Sequence, residues 1–288
     1  MPELPEVETI RRGLEGSILN KKIERFWFDI SFGKKISPSP ATIKRKIRDK
    51  SIISIARRSK LLIFNLSDGN HLLAHLKMTG QFVYKLEEGA LVTGGHPIVN
   101  LTVVPNKFTR AIFYFYDNSV LYFNDIRKFG FLKLVDDESL AEEVRHYGIE
   151  PFTANFTYKS FKENLKKHLK MKIKQALLDQ RSIAGLGNIY SDEVCFLSHV
   201  LPDRLVGTLK EEEFKLLFSN IKKVLTKAIL LKGTSVNTYV DSCGEGGKFQ
   251  NFLFVYGRAG EKCKKCQTII RKMKIAGRTS SFCVKCQH

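Results

Sequence analysis

The sequence lacks long apolar runs, an apolar leader and internal repeats, and it contains only 6 cysteines in 288 residues. No segment approaches the roughly eighteen consecutive apolar residues of a membrane-spanning helix, and the acidic start of the chain is unlike a signal peptide. These absences predict a soluble, intracellular protein. In that compartment cysteines stay reduced unless they bind a metal.

Acidic residues are also scarce, because 29 of them stand against 48 basic residues and leave a net charge of +19. This excess is more than solubility requires and indicates a polyanionic partner, of which nucleic acid is the commonest. A membrane surface is the alternative partner. With 43% hydrophobic residues, the chain is long enough for two domains with cores of their own.

Hydrophobic spacing predicts a mixed α+β fold. An apolar stripe at Val7, Ile10, Leu14 and Ile18 predicts a helix over about residues 4–19. Short β-rich runs then predict a β-sandwich that includes one helix near residues 41–48. The expected strands cover residues 23–30, 51–57, 61–66, 71–76, 81–86, 111–116, 120–124 and 129–135. Helices are expected at residues 139–147, 158–169, 173–180, 188–198 and 211–232, and a cleft between the two parts would be a natural ligand site.

The chain begins Met1-Pro2-Glu3-Leu4-Pro5-Glu6, so removal of Met1 would leave Pro2 as a free secondary amine beside Glu3. An α-amino group has a pKa of about 7.7–8.0, against about 10.4 for lysine, so part of it is nucleophilic at neutral pH. Such an amine can form an iminium with an aldehyde-level carbon, and a nearby carboxylate can carry the protons. The alternative is that the prolines and carboxylates only favour the first turn of the helix.

Two CxxC pairs form the strongest local motif. Cys263 and Cys266 are followed after sixteen residues by Cys283 and Cys286, a spacing typical of a four-thiolate structural Zn²⁺ site. The residues between the pairs predict a hairpin that contacts phosphate, although a solvated charged face is the alternative. The basic residues of this hairpin are Arg271, Lys272, Lys274 and Arg278.

A glycine-rich turn at residues 185–190, Gly-Leu-Gly-Asn-Ile-Tyr, opens a predicted helix. Free N–H groups at a helix start bind anions, and Asn188 could cap the helix or donate to a phosphate. A preceding lysine run favours a nucleic acid as that anion. The run comprises Lys162, Lys166, Lys167, Lys170, Lys172 and Lys174.

Three residues at strand edges, Met78, Arg127 and Phe129, have side chains that could occupy the space of a base extruded from a duplex. By residue type alone, Met78 and Phe129 would be core residues. Lys60 would be a surface lysine at the end of a strand.

The amino-terminal motif of residues 1–9, the turn at residues 185–190 and the Tyr256-Gly257-Arg258 segment with its two CxxC pairs resemble those of the formamidopyrimidine-DNA glycosylases. The resemblance extends over essentially the whole chain. It implies a bifunctional DNA glycosylase and AP lyase that excises oxidised purines, 8-oxoguanine or formamidopyrimidines, from double-stranded DNA. Excision would pass through a Schiff base at Pro2, followed by β,δ-elimination.

The resemblance also implies roles for individual residues. Glu3 would carry protons, Glu6 would support catalysis, and Lys60 would contact phosphate and assist elimination. Met78, Arg127 and Phe129 would fill the void left by the lesion, and the loop at residues 234–249 would cover the extruded base. The implied phosphate contacts are His75, Asn188, Tyr256 and Arg278.

The implied domains are a catalytic β-sandwich at residues 1–136, a linker with one helix at 137–157, a helix-two-turn-helix domain at 158–250 and a zinc finger at 251–288. A monomer suffices for such an enzyme. The sequence departs from the family at Lys107-Phe108-Thr109-Arg110, where many members have Lys-His-Asp-His, and in extra residues after Met78 that include Gly94-Gly95-His96. Cys195 and Cys243 are interpreted as structural or incidental.

Two other functions are possible on this scaffold. An endonuclease VIII-type glycosylase would prefer oxidised pyrimidines, but those enzymes usually have glycine where this chain has Leu4. A non-catalytic damage-binding protein would not need Pro2, Glu3 and Lys60.

Overall fold

The computed structural model describes residues 1–86, 104–234 and 247–288, together with the backbone of residues 91–95. The chain divides into two compact units. Unit 1 comprises Met1–Val144 and Lys232–Lys248, and unit 2 comprises Arg145–Leu231 and Phe249–His288. Among the described residues, no helix is both long and apolar enough to cross a bilayer.

Unit 1 begins with helix α1, Leu4–Ile18, which has Pro5 in its first turn. The fixed φ angle of proline suits this position, where its missing N–H would have no partner within the helix. The predicted stripe of Val7, Ile10 and Leu14 is buried in the core. The helix prediction is therefore confirmed, and the start of α1 is held by its apolar face.

The sandwich of unit 1 consists of two five-stranded sheets, which order as β1-β8-β9-β6-β7 and β2-β10-β5-β4-β3. Its core is rich in phenylalanine. The strands are β1 Ile23–Phe28, β2 Ile36–Ser37, β3 Ile52–Arg58, β4 Leu61–Leu66, β5 His71–His75, β6 Gly80–Lys85, β7 Leu91–Gly95, β8 Thr109–Phe115, β9 Val120–Asp125 and β10 Phe131–Val135. The described pairs are antiparallel except for β2 and β10. Helices α2, Pro40–Ile47, and α3, Asp137–Arg145, complete the chain up to the start of unit 2.

One strand is shorter than its β-rich sequence predicts. β1 ends at Phe28, because the Asp29 carboxylate accepts the Ser31 N–H at 2.9 Å and caps a short 3₁₀ helix over Ile30–Lys35. A local side-chain bond therefore overrides the β-propensity of Ile30.

Unit 2 is helical and ends in a two-stranded hairpin. The α+β fold, with an amino-terminal sandwich, a helical second part and a carboxy-terminal four-cysteine hairpin, is confirmed. Its helices are α4 Tyr158–Lys166, α5 Ile173–Leu178, α6 Asn188–Leu197 and α7 Glu211–Leu230, and its hairpin pairs β11 Arg271–Ile275 with β12 Arg278–Phe282.

Candidate active site and nucleic-acid interface

The amino terminus is built around two buried carboxylates. Pro2 is buried, and Glu3 and Glu6 are each only 2% exposed. Glu6 Oε2 accepts the Glu3 N–H at 2.8 Å, and Glu6 Oε1 accepts the Thr234 N–H at 2.8 Å. Glu6 therefore ties the first residues of α1 to a segment more than two hundred positions later in the chain.

Gly233 supplies the space for this carboxylate. Its φ is +85°, a left-handed conformation that favours glycine, and a Cβ there would lie 2.8 Å from Glu6 Oε1. Any side chain at this position would strain the backbone and displace Glu6.

Glu8 anchors the first turns of α1 to the sandwich. Its carboxylate binds Arg57 of β3 at 3.0 Å and Arg12 at 2.8 Å, and it also bonds Arg11. Burial alone would raise the pKa of Glu8, but the bonds from the three guanidinium groups outweigh burial and lower the pKa to about 2. The side chain is therefore charged at neutral pH.

Lys60 and His75 are both buried polar residues, at 4% and 9% exposure. Lys60 is therefore not the surface lysine that its strand-end position predicts. Burial, with the nearby positive charges of Lys77 and Lys60, lowers the pKa of His75 to about 3. The Lys77 N–H donates to His75 Nδ1 at 2.9 Å, so the neutral ring carries its proton on Nε2, as a donor suited to an anion.

Met78, Arg127 and Phe129 come together although they lie on two different loops. Arg127 Nη1 is 3.1 Å from Met78 Sδ, and the Arg127 guanidinium lies 4.5 Å from the centre of the Phe129 ring. Met78 is 42% exposed and Phe129 is 46% exposed, so the expectation from residue type that they are core residues is wrong. The three side chains form an exposed apolar and cationic cluster, which we call the wedge.

Asp125, at the end of β9, holds the wedge from beneath and was not singled out by the sequence. Its fully buried carboxylate accepts the Gly130 N–H at 2.7 Å, the Arg127 N–H at 3.2 Å and the Thr79 hydroxyl. The Thr79 hydroxyl oxygen also accepts the Arg127 N–H at 3.0 Å. Arg110, in the stretch that departs from the family, donates to the Asp125 carbonyl at 2.9 Å and is buried.

The four predicted cysteine ligands lie together in unit 2, with their sulfur atoms within 4.8 Å of one another. The Sγ atoms of Cys263 and Cys286 are 3.9 Å apart, and those of Cys266 and Cys283 are 3.4 Å apart. A tetrahedral ion with metal–sulfur bonds of about 2.3 Å places its sulfurs about 3.8 Å apart, so the cluster fits such an ion. The thiolates fill all four positions, which makes the metal structural.

Two consecutive acidic residues of α6 hold the segments around this cluster. Glu193 accepts the N–H groups of Phe254, Val255 and Tyr256 at 2.8 to 2.9 Å. Burial raises the pKa of Glu193, and these three N–H groups oppose that rise. The preceding residue, Asp192, accepts the Ser281 N–H at 3.0 Å. Sequence reasoning missed both carboxylates, because these backbone partners lie more than sixty residues away along the chain.

Of the three predicted phosphate ligands in unit 2, Asn188 and Arg278 lie beside Thr279 of the hairpin, and Tyr256 lies beside Glu193. Asn188 begins α6, and its Nδ2 donates to the Thr279 carbonyl of β12 at 3.0 Å. Arg278 is exposed at the tip of the hairpin, directly before Thr279. Tyr256 is half-buried next to Glu193.

The lysine run does not act as one basic surface. Lys174 is fully buried and pairs with Asp192 at 2.7 Å, while Lys162 pairs with Glu211 at 2.5 Å. The interpretation that all six lysines favour a polyanion is therefore wrong for Lys174, whose charge is neutralised inside the protein. Cys195 is buried, and burial raises the pKa of its thiol, in agreement with a structural role.

Two sequence features lie largely outside the described residues. The expected covering loop, with Cys243, Gly244 and Gly246, falls mostly within residues 235–246. Of the extra residues after Met78, His96 is not described, and Gly94 and Gly95 are described as backbone of β7.

A buried Pro2 and two buried carboxylates at the start of a sandwich, joined in one chain to a basic hairpin beside four clustered cysteines, are the features expected of a DNA glycosylase with a zinc-finger tail. Three family models match in order: the formamidopyrimidine-DNA glycosylase N-terminal domain at residues 1–132, the H2TH domain of the same enzyme at 147–240, and the zinc finger found in FPG and IleRS at 260–288. The chain belongs to the formamidopyrimidine-DNA glycosylase family.

Individual relatives agree over their full length. The formamidopyrimidine-DNA glycosylase of Pelotomaculum thermopropionicum is 38% identical over 290 residues, which cover 100% of this chain and 99% of the relative. Lactococcus lactis Fpg, solved in complex with DNA containing an abasic site, is 37% identical with a TM-score of 0.87 and 99% coverage of both chains. MutM, solved with DNA containing carbocyclic 8-oxo-G, is 36% identical with a TM-score of 0.87 and 100% coverage of both chains.

Proposed function

We propose that the protein is a bifunctional DNA glycosylase and AP lyase of base excision repair that removes 8-oxoguanine and formamidopyrimidines from duplex DNA, with Pro2 as its nucleophile. The observation that carries this proposal is the amino terminus itself. Pro2 is buried beside Glu3, and Glu6 fixes both the Glu3 N–H and the Thr234 N–H. Family membership and relatives solved with damaged DNA support the substrate class.

In the proposed reaction, removal of Met1 exposes the Pro2 nitrogen. The nitrogen attacks C1′ of the damaged nucleotide, the bond to the base breaks, and the base leaves with a proton. Loss of the ring oxygen from C1′ then gives an iminium with Pro2, which acidifies the C2′ hydrogens. A base removes a C2′ proton and the 3′ phosphate leaves, and a second elimination releases the 5′ phosphate. Glu3 is the proposed proton carrier for these steps.

The buried cation and imidazole of unit 1 are suited to the DNA backbone. Lys60 supplies a positive charge, and the neutral His75 supplies an N–H donor whose protonation state does not change near neutral pH. The wedge of Met78, Arg127 and Phe129 is assigned to the void that an extruded nucleotide leaves in the duplex. Its exposed apolar surface and the fixed guanidinium are the features that this task requires.

In unit 2 we assign phosphate contacts to Asn188, Tyr256 and Arg278, and Zn²⁺ to the four-cysteine cluster, because a closed set of four thiolates is typical of structural zinc. We further propose an intracellular monomer. The proposed domains are residues 1–136 for catalysis, 137–157 as a linker with one helix, 158–250 for helix-two-turn-helix binding and 251–288 as the zinc finger.

Borohydride trapping on duplex DNA with 8-oxoguanine opposite cytosine tests the assignment of Pro2. We expect a covalent adduct, because borohydride reduces the iminium, and we expect Pro2→Gly to lose it. The control is Pro5→Ala, which changes a proline of the same helix start that carries no free amine in either form. Tight binding without any adduct would contradict the proposed catalytic activity and would favour a non-catalytic damage-binding protein. An adduct of full yield from protein that retains Met1 would contradict Pro2 as the nucleophile.

A further inference from the structure

One backbone carbonyl in the hairpin receives two side chains from two different segments. The Thr279 carbonyl accepts Lys174 Nζ at 3.0 Å and Asn188 Nδ2 at 3.0 Å. Lys174 belongs to α5, and Asn188 is the first residue of α6. The carbonyl therefore fixes the amide of Asn188 next to Arg278, the residue that precedes Thr279.

Asp192 completes the arrangement from the next turn of α6. Its Oδ1 accepts Lys174 Nζ at 2.7 Å and the Ser280 hydroxyl at 2.6 Å, and its Oδ2 accepts the Ser281 N–H at 3.0 Å. The side chains of Lys174 and Asp192 are both 0% exposed. Three consecutive residues of β12 are thus bonded to one buried ion pair.

We propose that Lys174 and Asp192 are a positioning pair that holds Asn188 and Arg278 in one fixed arrangement, so that the two bind neighbouring DNA phosphates together. This inference rests on the proposed function, because it assumes that these two residues contact DNA. Lys174 itself has no exposed surface, so it acts through Thr279 and not by direct contact with the nucleic acid.

The cost of burying charge favours a positioning role over a role in stability. Moving two ions out of water is expensive, and buried ion pairs are often matched in stability by apolar side chains of similar size. What apolar side chains cannot do is donate two directed hydrogen bonds. Lys174 donates one bond to the carboxylate of α6 and one to the backbone of β12, which fixes the distance between helix and hairpin.

A double-mutant cycle tests the proposal through the salt dependence of binding to a duplex with a tetrahydrofuran abasic analogue. Each cationic phosphate contact contributes about 0.9 to the slope of log affinity against log salt between about 50 and 200 mM. We expect Arg278→Ala and Lys174→Met each to reduce the slope by about that amount. We expect the double variant to lose no more than either single variant, because both changes remove the same contact.

Asp192→Asn distinguishes the positioning role from a simple effect of net charge, because the two predict opposite changes in DNA affinity. Removing a negative charge from a DNA-binding protein would strengthen binding through the net charge alone. The positioning proposal predicts weaker binding, because Lys174 loses its charged partner and no longer holds Thr279. The matched control for loss of a paired lysine is Lys21→Met, since Lys21 pairs with Asp117 in unit 1. We expect its slope to be that of the unaltered protein.

If Lys174→Met does not fold, Lys174→Met/Asp192→Leu removes both charges and leaves no ion unpaired. We expect this variant to keep its bound metal and still to lose the Arg278 contribution. Two results would overturn the positioning proposal and leave the proposed function intact. One is a double variant whose slope falls by the sum of the two single losses, and the other is an unchanged slope in a folded Lys174→Met variant. An unchanged slope in Arg278→Ala would overturn it together with the phosphate assignment of Arg278, whereas borohydride trapping would still report on the enzyme.

Discussion

The two units hold their exposed functional residues by different means. In unit 1, the wedge depends on one buried carboxylate, because Asp125 accepts both the Arg127 and the Gly130 N–H groups. In unit 2, the hairpin and the segment before it are held by Asp192, by Glu193 and by a four-cysteine cluster. The wedge of unit 1 therefore depends mainly on Asp125, with a second bond from Thr79, whereas the hairpin of unit 2 is held by two carboxylates and a cysteine cluster.

The two kinds of support respond differently to the loss of one group. Loss of one acceptor in unit 1 leaves several buried donors without partners, and each costs about 1–3 kcal/mol. In unit 2 a metal ion held by the four cysteines would tie the two ends of the tail together, and its binding would contribute more than any one hydrogen bond.

Metal removal should abolish DNA binding and leave unit 1 folded. Without the ion, the tail loses the contacts proposed for Arg278 and Tyr256. Two charge-assisted contacts at about 1.5–3 kcal/mol each correspond to about a 100-fold loss of affinity or more. Trp27 is the only tryptophan of the chain and lies on β1, so its emission reports on unit 1. We expect chelation to leave that emission unchanged while binding, followed by anisotropy, is lost.

Re-addition of Zn²⁺ to the chelated protein is the control, and it should restore binding. Metal-free protein that binds DNA with full affinity would show that the hairpin does not contact DNA. A shift of the Trp27 emission on chelation would show that the two units do not depend on separate supports.

Asp125→Ala should disable the wedge. The change leaves the Gly130 N–H and the Thr79 hydroxyl without their acceptor and the Arg127 N–H with Thr79 alone. We expect the free energy of unfolding of unit 1 to fall by about 3 kcal/mol. Excision of 8-oxoguanine should slow by about 100-fold, because about 2.7 kcal/mol of positioning is lost. Cleavage at a preformed abasic site should slow less, since no base remains to be extruded.

Asp117→Ala is the matched control, because Asp117 lies before the opposite end of β9 and is half-exposed. It should leave the excision rate unchanged. Equal losses in the two variants would mean that the wedge has no special dependence on Asp125.

Glu8→Gln should show the smallest effect, on the pH dependence of stability. Because the folded-state pKa of about 2 lies below the ordinary value of 4.5, the Glu8 carboxylate stabilises the fold above about pH 4.5, and this contribution is lost as pH falls towards 2. After allowance for solvent screening we expect about 2 kcal/mol. Urea unfolding followed by Trp27 emission at pH 7 and pH 3 should show a smaller pH effect in Glu8→Gln. An equal pH effect in both proteins would show that the bonds from the guanidinium groups to Glu8 do not cause the pH dependence of stability.

Much of the fold could be predicted because its signals are local. The apolar stripe of α1 placed that helix within a residue of its observed end at Ile18. A β-rich run and the turn residues after it placed β4 at the observed Leu61–Leu66, and the paired CxxC motifs indicated both the metal site and the hairpin between them. Each of these signals is contained in a few neighbouring residues or in a fixed spacing.

The rest could not be predicted because it depends on partners far apart in the sequence. Asp125 bonds Thr79 across 46 positions, and Asp192 bonds Ser281 across 89 positions. An aspartate at the end of a strand or within a helix shows nothing in its own neighbourhood of such a partner. The same reason explains Lys174, because a lysine in a basic run gives no local sign of burial beside an aspartate.

Gly233 shows how a residue without a side chain can limit the evolution of a catalytic centre. The atom that would clash with a new Cβ is the oxygen of Glu6, and the left-handed backbone there excludes most substitutions independently of that clash. Variation at this position is therefore restricted twice, once by conformation and once by the carboxylate at the other end of the chain. Homologues that lack glycine here would have to move or replace Glu6 as well, so the two positions should change as a pair.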